Sequence, residues 1–317
     1  MEQRKLIKLG NSSFAIALPK AWIDKSGLKK GDKIFLEENG NGELNVTSSP
    51  SKNNNKEITV DVNNKDLSSI KREIRAAYIR GYDILKIDGA KERSTRTNIK
   101  NILGDFLSFD MVEGKEESIL LKDFFNIEEA NMQNFIRRMD NNIKEILDIS
   151  LEELKKPEIN QAKIKEVESI DKDVNKFYFL CSRVFLKGID NPSVLTTLKT
   201  SGIKIFNEWW FAYNLEALSD YIKYVLRDSQ KINIKKIKDK LTVIFTDLRT
   251  AYLKCMESFY KEDAKLASEV IDITKKLTEE IEILWNENPT YHVIFKDLNQ
   301  IRRQIYQNAK MIFYLKY

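Results

Sequence analysis

LGNSSFAIALPKAWIDKSGLKKGDKIFL, residues 9–36, packs two short apolar stretches, three glycines, a proline and five lysines into 28 positions. With Arg4–Lys8 ahead of it, the segment reads as strands at 4–8 and 13–18 turned by Gly10–Asn11–Ser12–Ser13. Pro19 has no N–H to give to a ladder and ends the second strand. A helical turn around 20–26 follows, then GLKKGD at 27–32 and a hairpin formed by KIFLEE, the turn NGNG at 39–42, and ELNVTS. Trp22, Leu28 and Phe35 are the core candidates, and Asp32 organises a turn or pairs with a lysine. Four short strands in about 45 residues bury little, so the unit is expected to need a partner copy.

Charge singles out the same region. Residues 1–36 hold eight Lys or Arg against Glu2, Asp24 and Asp32, a net +5 that equals the charge of the whole chain. The other 281 residues balance to zero, which places any electrostatic footprint for nucleic acid at the N-terminus. With 42% hydrophobic and 32% charged residues the chain has the composition of a folded soluble protein. No apolar run reaches membrane-spanning length, MEQRKLIKLG leads into no signal sequence, and Cys181 and Cys255 form no metal-ligand spacing. A cytoplasmic location is expected.

The combination of GlyAsnSer, LeuProLys, Trp22, GlyLeu-x-x-GlyAsp and a closing hairpin, over residues 3–47, closely resembles the AbrB/MazE/SpoVT swapped-hairpin DNA-binding family. The resemblance implies two chains interleaving into one small all-β barrel, a homodimer that binds DNA. Carried onto this sequence, it makes Arg4, Lys5, Lys8, Asn11, Ser12 and Lys20 the DNA-contacting candidates. Lysines and arginine would neutralise phosphates, with Asn11 and Ser12 either hydrogen-bonding to nucleic acid or capping local backbone. Phe14 stands where many family members carry a basic residue.

Beyond a polar linker at 49–57, the expected organisation is a small α/β unit at 58–125 and an all-α bundle in two sets of three helices, 126–231 and 232–317. The α/β unit reads as strand 58–62, helix 67–80, strand 82–88, helix 94–107 and strands near 109–113 and 118–122. Helices are expected near 127–149, 159–188, 194–229, 233–260, 262–286 and 290–316, with breaks at LysPro 156–157, GIDNP 188–192 and AsnPro 288–289. The α/β unit carries no GxGxxG and no P-loop; GlyTyrAsp at 81–83 resembles the connector of archaeal proteins that join an AbrB-type domain to a PhoU-type bundle.

NLEALSDYI, with Glu216 and Asp220 one helical turn apart, looks like the acidic motif of the PhoU family of phosphate-signalling proteins. The preceding helix offers Asp171 and Asn175 where that family has an acidic pair, with Glu166 and Glu168 nearby. The resemblance implies two three-helix PhoU-like repeats and a divalent or iron-type metal in repeat one, held by Asp171, Glu216 and Asp220. The same carboxylates would also suit a solvated helix face. In repeat two Asn299, Arg303, Asp272 and Lys276 fill the corresponding positions, and two cations there would repel a metal.

WWFAYNL at 209–215 reads as a core stripe or a docking face, and the single histidine, His292, as structural. With no nucleophile–base pair in view, the chain is not expected to be an enzyme. The two resemblances together imply a DNA-binding transcriptional regulator of phosphate uptake or homeostasis, with a phosphate-transport or signalling protein as a further partner. The alternative is a signalling adaptor, acting on a phosphate transporter or sensor kinase, that uses its N-terminal domain only to dimerise.

Overall fold

The computed structural model describes residues 3–38, 42, 44–48, 56–114 and 117–316, in two compact units, Met1–Asn54 and Asn55–Tyr317. The linker expected at 49–57 lies mostly outside the described residues, as does most of the turn expected at 39–42.

In the first unit β1 (Leu6–Leu9) pairs antiparallel with β2 (Ser13–Ile16). A six-residue helix α1 (Lys20–Lys25) follows Pro19. β3 (Phe35–Glu38) then pairs antiparallel with β4 (Leu44–Thr47). The expected swapped-hairpin barrel is overturned: the four strands form two open two-stranded sheets, and no sheet among the described residues closes on itself. Closure would need bonds linking one hairpin to the other, and each of these strands has a single partner. Nor is any described residue of this unit fully buried. Trp22 and Leu28 are half-buried and Phe35 is exposed, so one chain provides these core candidates with no core. Asp32 does organise a turn, its carboxylate accepting from the Lys29 N–H at 2.6 Å.

The second unit begins with β5 (Glu57–Asp61), α2 (Leu67–Ile79), β6 (Ile84–Asp88), α3 (Arg93–Leu103), β7 (Phe109–Gly114) and β8 (Ser118–Asp123). The sheet order is β5-β6-β8-β7; β5 and β6 are parallel and the other pairs antiparallel. Helix α2 forms because Ile70, Ile74, Ala77 and Tyr78 fall on one helical face, and because Asp66 caps it by accepting from Ser69 N–H at 2.8 Å. That face packs with Leu85, Ile87, Ile119 and Leu121 of the sheet in one core. The helix expected over 94–107 stops at Leu103, where Gly104 follows.

The remainder is helical: α4 (Met132–Leu154), α5 (Gln161–Asp190), α6 (Pro192–Thr197), α7 (Gly202–Asp228), α8 (Lys235–Lys261), α9 (Ala264–Glu287) and α10 (His292–Leu315). The single helix expected over 194–229 is split. Lys199 takes a left-handed conformation (φ +50°), and Ser201 starts a new helix by accepting from Lys204 N–H at 3.2 Å. Similarly α8 ends at left-handed Glu262, and Asp263 caps α9 through the N–H groups of Lys265 and Leu266. Helices α4, α5 and α7 pack together, as do α8, α9 and α10, with α7 against α10 and α4 against α8. One continuous core runs through both triplets, from Met132 to Ile312.

Helix α5 also belongs to the α/β segment. Phe179 is buried in that segment's core, where a side chain of this size contributes about 2 kcal/mol. One turn on, fully buried Arg183 donates to the Tyr78 carbonyl at 2.5 Å, the Tyr82 carbonyl at 3.0 Å and the Asp123 carboxylate at 2.5 Å. Lys187 adds an ion pair to Asp83 at 2.5 Å. These contacts make residues 56–316 one body.

Candidate functional site

The turn between β1 and β2 is tight. Gly10 takes φ +72°, a conformation an L side chain resists, and this lets Asn11 and Ser12 project at the hairpin tip. Lys8 lies opposite Phe14 in the register, so the two share a face of the hairpin. Arg4, Lys5, Lys8, Asn11, Ser12 and Lys20 are all exposed: three before the turn, two in it, and Lys20 at the start of α1. Lys5, Lys8 and Lys20 form no ion pair among the described residues, leaving three cations to the solvent. The apolar side chains here are exposed as well, Leu6 at 66%, Phe14 at 61% and Leu36 at 61%.

The carboxylates of the second unit do come together, though around something other than a metal. Asp171 of α5 is buried and accepts from the Ser219 hydroxyl at 2.7 Å and from the Lys223 ammonium. The same ammonium reaches Asp220 at 2.5 Å. Burial works against the charge on Lys223, but its hydrogen bonds to Asp171 and Asp220 outweigh that and hold its pKa above the ordinary lysine value. The position where a metal would bridge Asp171 and Asp220 thus holds a covalently tethered cation. Among the described residues no group of three or more His, Cys, Asp or Glu is arranged to hold a metal, and the expected divalent or iron-type metal is withdrawn. Glu216 stands beside this triad. Burial, then the charges of Asp220 and Asp171, push its carboxyl up to about 7. The residue missed at the sequence level is Lys223, whose only signal was its spacing, three after Asp220 and seven after Glu216.

The aromatic stretch 209–215 divides by face. Phe211, Ala212, Asn214 and Leu215 are buried, while Trp210 and Tyr213 are exposed. Asn214 donates its amide to Asn308 of α10 at 2.8 Å, a buried polar contact that fixes how the two triplets meet. His292 is exposed at the start of α10. Both cysteines are buried, and burial pushes the Cys255 thiol up to about 12 and that of Cys181 higher still.

Residues 7–54 match the sequence model of a family described as antidote-toxin recognition MazE, bacterial antitoxin. No curated protein and no solved structure matches the chain. No helix among the described residues is long and apolar enough to cross a membrane.

Proposed function

We propose that the protein is a DNA-binding transcriptional regulator that works as a homodimer through residues 1–48, with the helical unit as its sensing and interaction module. The observation that carries this reading is the exposure of Lys5, Lys8 and Lys20 in a unit whose β1–β2 hairpin presents Asn11 and Ser12 at its tip. Cations of that kind neutralise phosphates, and the amide and hydroxyl supply hydrogen bonds to backbone or base edges. The family match over 7–54 supports the same assignment. Dimerisation is supported by the absence of any buried described residue in this unit and by exposed Leu6, Phe14 and Leu36, which a second copy would cover.

The process we assign is phosphate uptake or homeostasis in the cytoplasm, with a transport or signalling protein as partner. It rests on the Leu215–Asp220 segment and the two helix triplets, the features of the sequence resemblance. No reaction is assigned.

The test is binding of the full chain to the DNA upstream of its own coding sequence and to a scrambled duplex. Tighter binding to the former, lost on changing Lys5, Lys8 and Lys20 to Glu, is expected. Binding to neither duplex at about 50 mM salt would contradict the reading and leave the N-terminal unit as a dimerisation or protein-binding element of an adaptor.

A further inference from the structure

Two adjoining cavities open at the end of the bundle where α4 and α7 begin and α8 and α10 finish. The larger has a volume of about 310 Å³ and a mostly apolar wall that includes Phe259, Met311, Ile312 and Leu315. The smaller, about 180 Å³, is mostly polar and includes Thr200. Gln133, Lys204 and Glu208 line both, so they form the wall the cavities share.

Glu208 is the unusual member. It is only 9% exposed, and no Lys or Arg among the described residues forms an ion pair with it. Burial raises its carboxyl pKa; the charge of exposed Lys204 and a hydrogen bond from Gln133 pull the other way without cancelling that. A buried carboxylate whose neighbouring cation, Lys204, stays exposed and forms no direct ion pair with it is costly unless something arrives to pair with it. On the smaller side, the Thr200 hydroxyl oxygen is buried with no hydrogen-bond partner. Buried polar atoms are rarely left so, and because Thr200 lines the smaller cavity, a turn of its side chain would bring the hydroxyl to a ligand or water there. The two observations are independent, and both fall on the same pair of cavities.

We propose that these cavities bind a small primary amine with an aliphatic body. Its ammonium pairs with Glu208, its chain lies along Phe259, Met311 and Leu315, and a hydroxyl or amide on the smaller side engages Thr200. An anion would meet the Glu208 carboxylate, and a neutral apolar molecule would leave it unpaired. The wall comes from α4 and α7 of one triplet and α8 and α10 of the other, so the occupant bridges the two. The site lies within the second unit, and the proposal stands whether or not the first unit binds DNA.

Calorimetric titration of the full chain with n-hexylamine and with n-hexanol at mildly alkaline pH tests this. The amine is expected to bind at least about tenfold more tightly than the alcohol of matching shape. Glu208→Gln, which keeps volume and hydrogen bonding, should remove that preference while leaving the alcohol's affinity unchanged. Met311→Trp, which fills the apolar side, should weaken both probes and keeps the test open if Glu208→Gln fails to fold. Equal binding of the two probes to the wild-type chain, an amine preference that survives Glu208→Gln, or no binding of either probe would overturn the proposal.

Discussion

Replacing Glu216 by Gln removes one carboxyl whose titration should be visible in the stability of the second unit. Burial and the neighbouring Asp220 and Asp171 raise its pKa from 4.5 to about 7 in the folded chain. Below the lower value both folded and unfolded chains hold the proton, and the group costs nothing. Between the two values the unfolded chain has released it while the folded chain keeps it, so stability falls as pH rises. Each pH step of one between those values costs about 1.4 kcal/mol, so the loss across the window comes to about 3 kcal/mol. The Gln variant is free of this loss. Urea unfolding of both proteins, followed by helical circular dichroism from about pH 5 to pH 8, isolates it, since titrating groups that do not interact with Glu216 cancel in the difference. The variant should gain on the wild type by about 2–3 kcal/mol over that range, most of it before pH 7. Two parallel stability curves would refute the placement of Glu216 in a desolvated site beside two carboxylates.

Other perturbations bear on the contacts that hold the second unit. Lys223→Met leaves the buried Asp171 carboxylate with only the Ser219 hydroxyl and should cost about 3 kcal/mol in urea unfolding; adding Asp171→Asn should recover most of it. A double variant as unstable as Lys223→Met alone would show that the ion pair is not the cause. Arg183→Met takes the guanidinium away from the buried Asp123 carboxylate and from the Tyr78 and Tyr82 carbonyl oxygens, at about 3–5 kcal/mol. Amide hydrogen exchange should then quicken in residues 57–123 more than in the helices, whereas uniform protection across the unit would contradict the role of Arg183 as the tie between them.

What the sequence reveals depends on whether the responsible force is local. Helix α2 is legible because its buried residues repeat at helical spacing behind a capping Asp66, and the break at Pro192 is legible because the ring removes an N–H. The exposure of Lys5, Lys8 and Lys20 is legible because charged side chains on so small a unit need no tertiary contact to reach solvent. Lys223 is not, because the pairing of α7 with Asp171 on α5 depends on helix rotation that spacing alone leaves open. Arg183 reads as one more charge on a long amphipathic helix, and only the packed structure shows it buried against the carbonyls that close α2. The barrel expectation failed for a related reason. It was a statement about a second chain, and the strands of one chain pair only within their own hairpins. The split of the expected 194–229 helix hangs on a single left-handed residue, Lys199, of a type that gives no warning.

On the proposed reading, the exposed lysines of the first unit grip nucleic-acid phosphates as a pair of copies. The most direct measurement is the salt dependence of binding to the upstream duplex. If Lys5, Lys8 and Lys20 of two copies each displace a counterion, the logarithm of affinity should fall against the logarithm of salt with a slope of about −5. The slope should collapse toward zero when the three are changed to Glu. A wild-type slope near zero, or one that the triple variant leaves unchanged, would contradict the account.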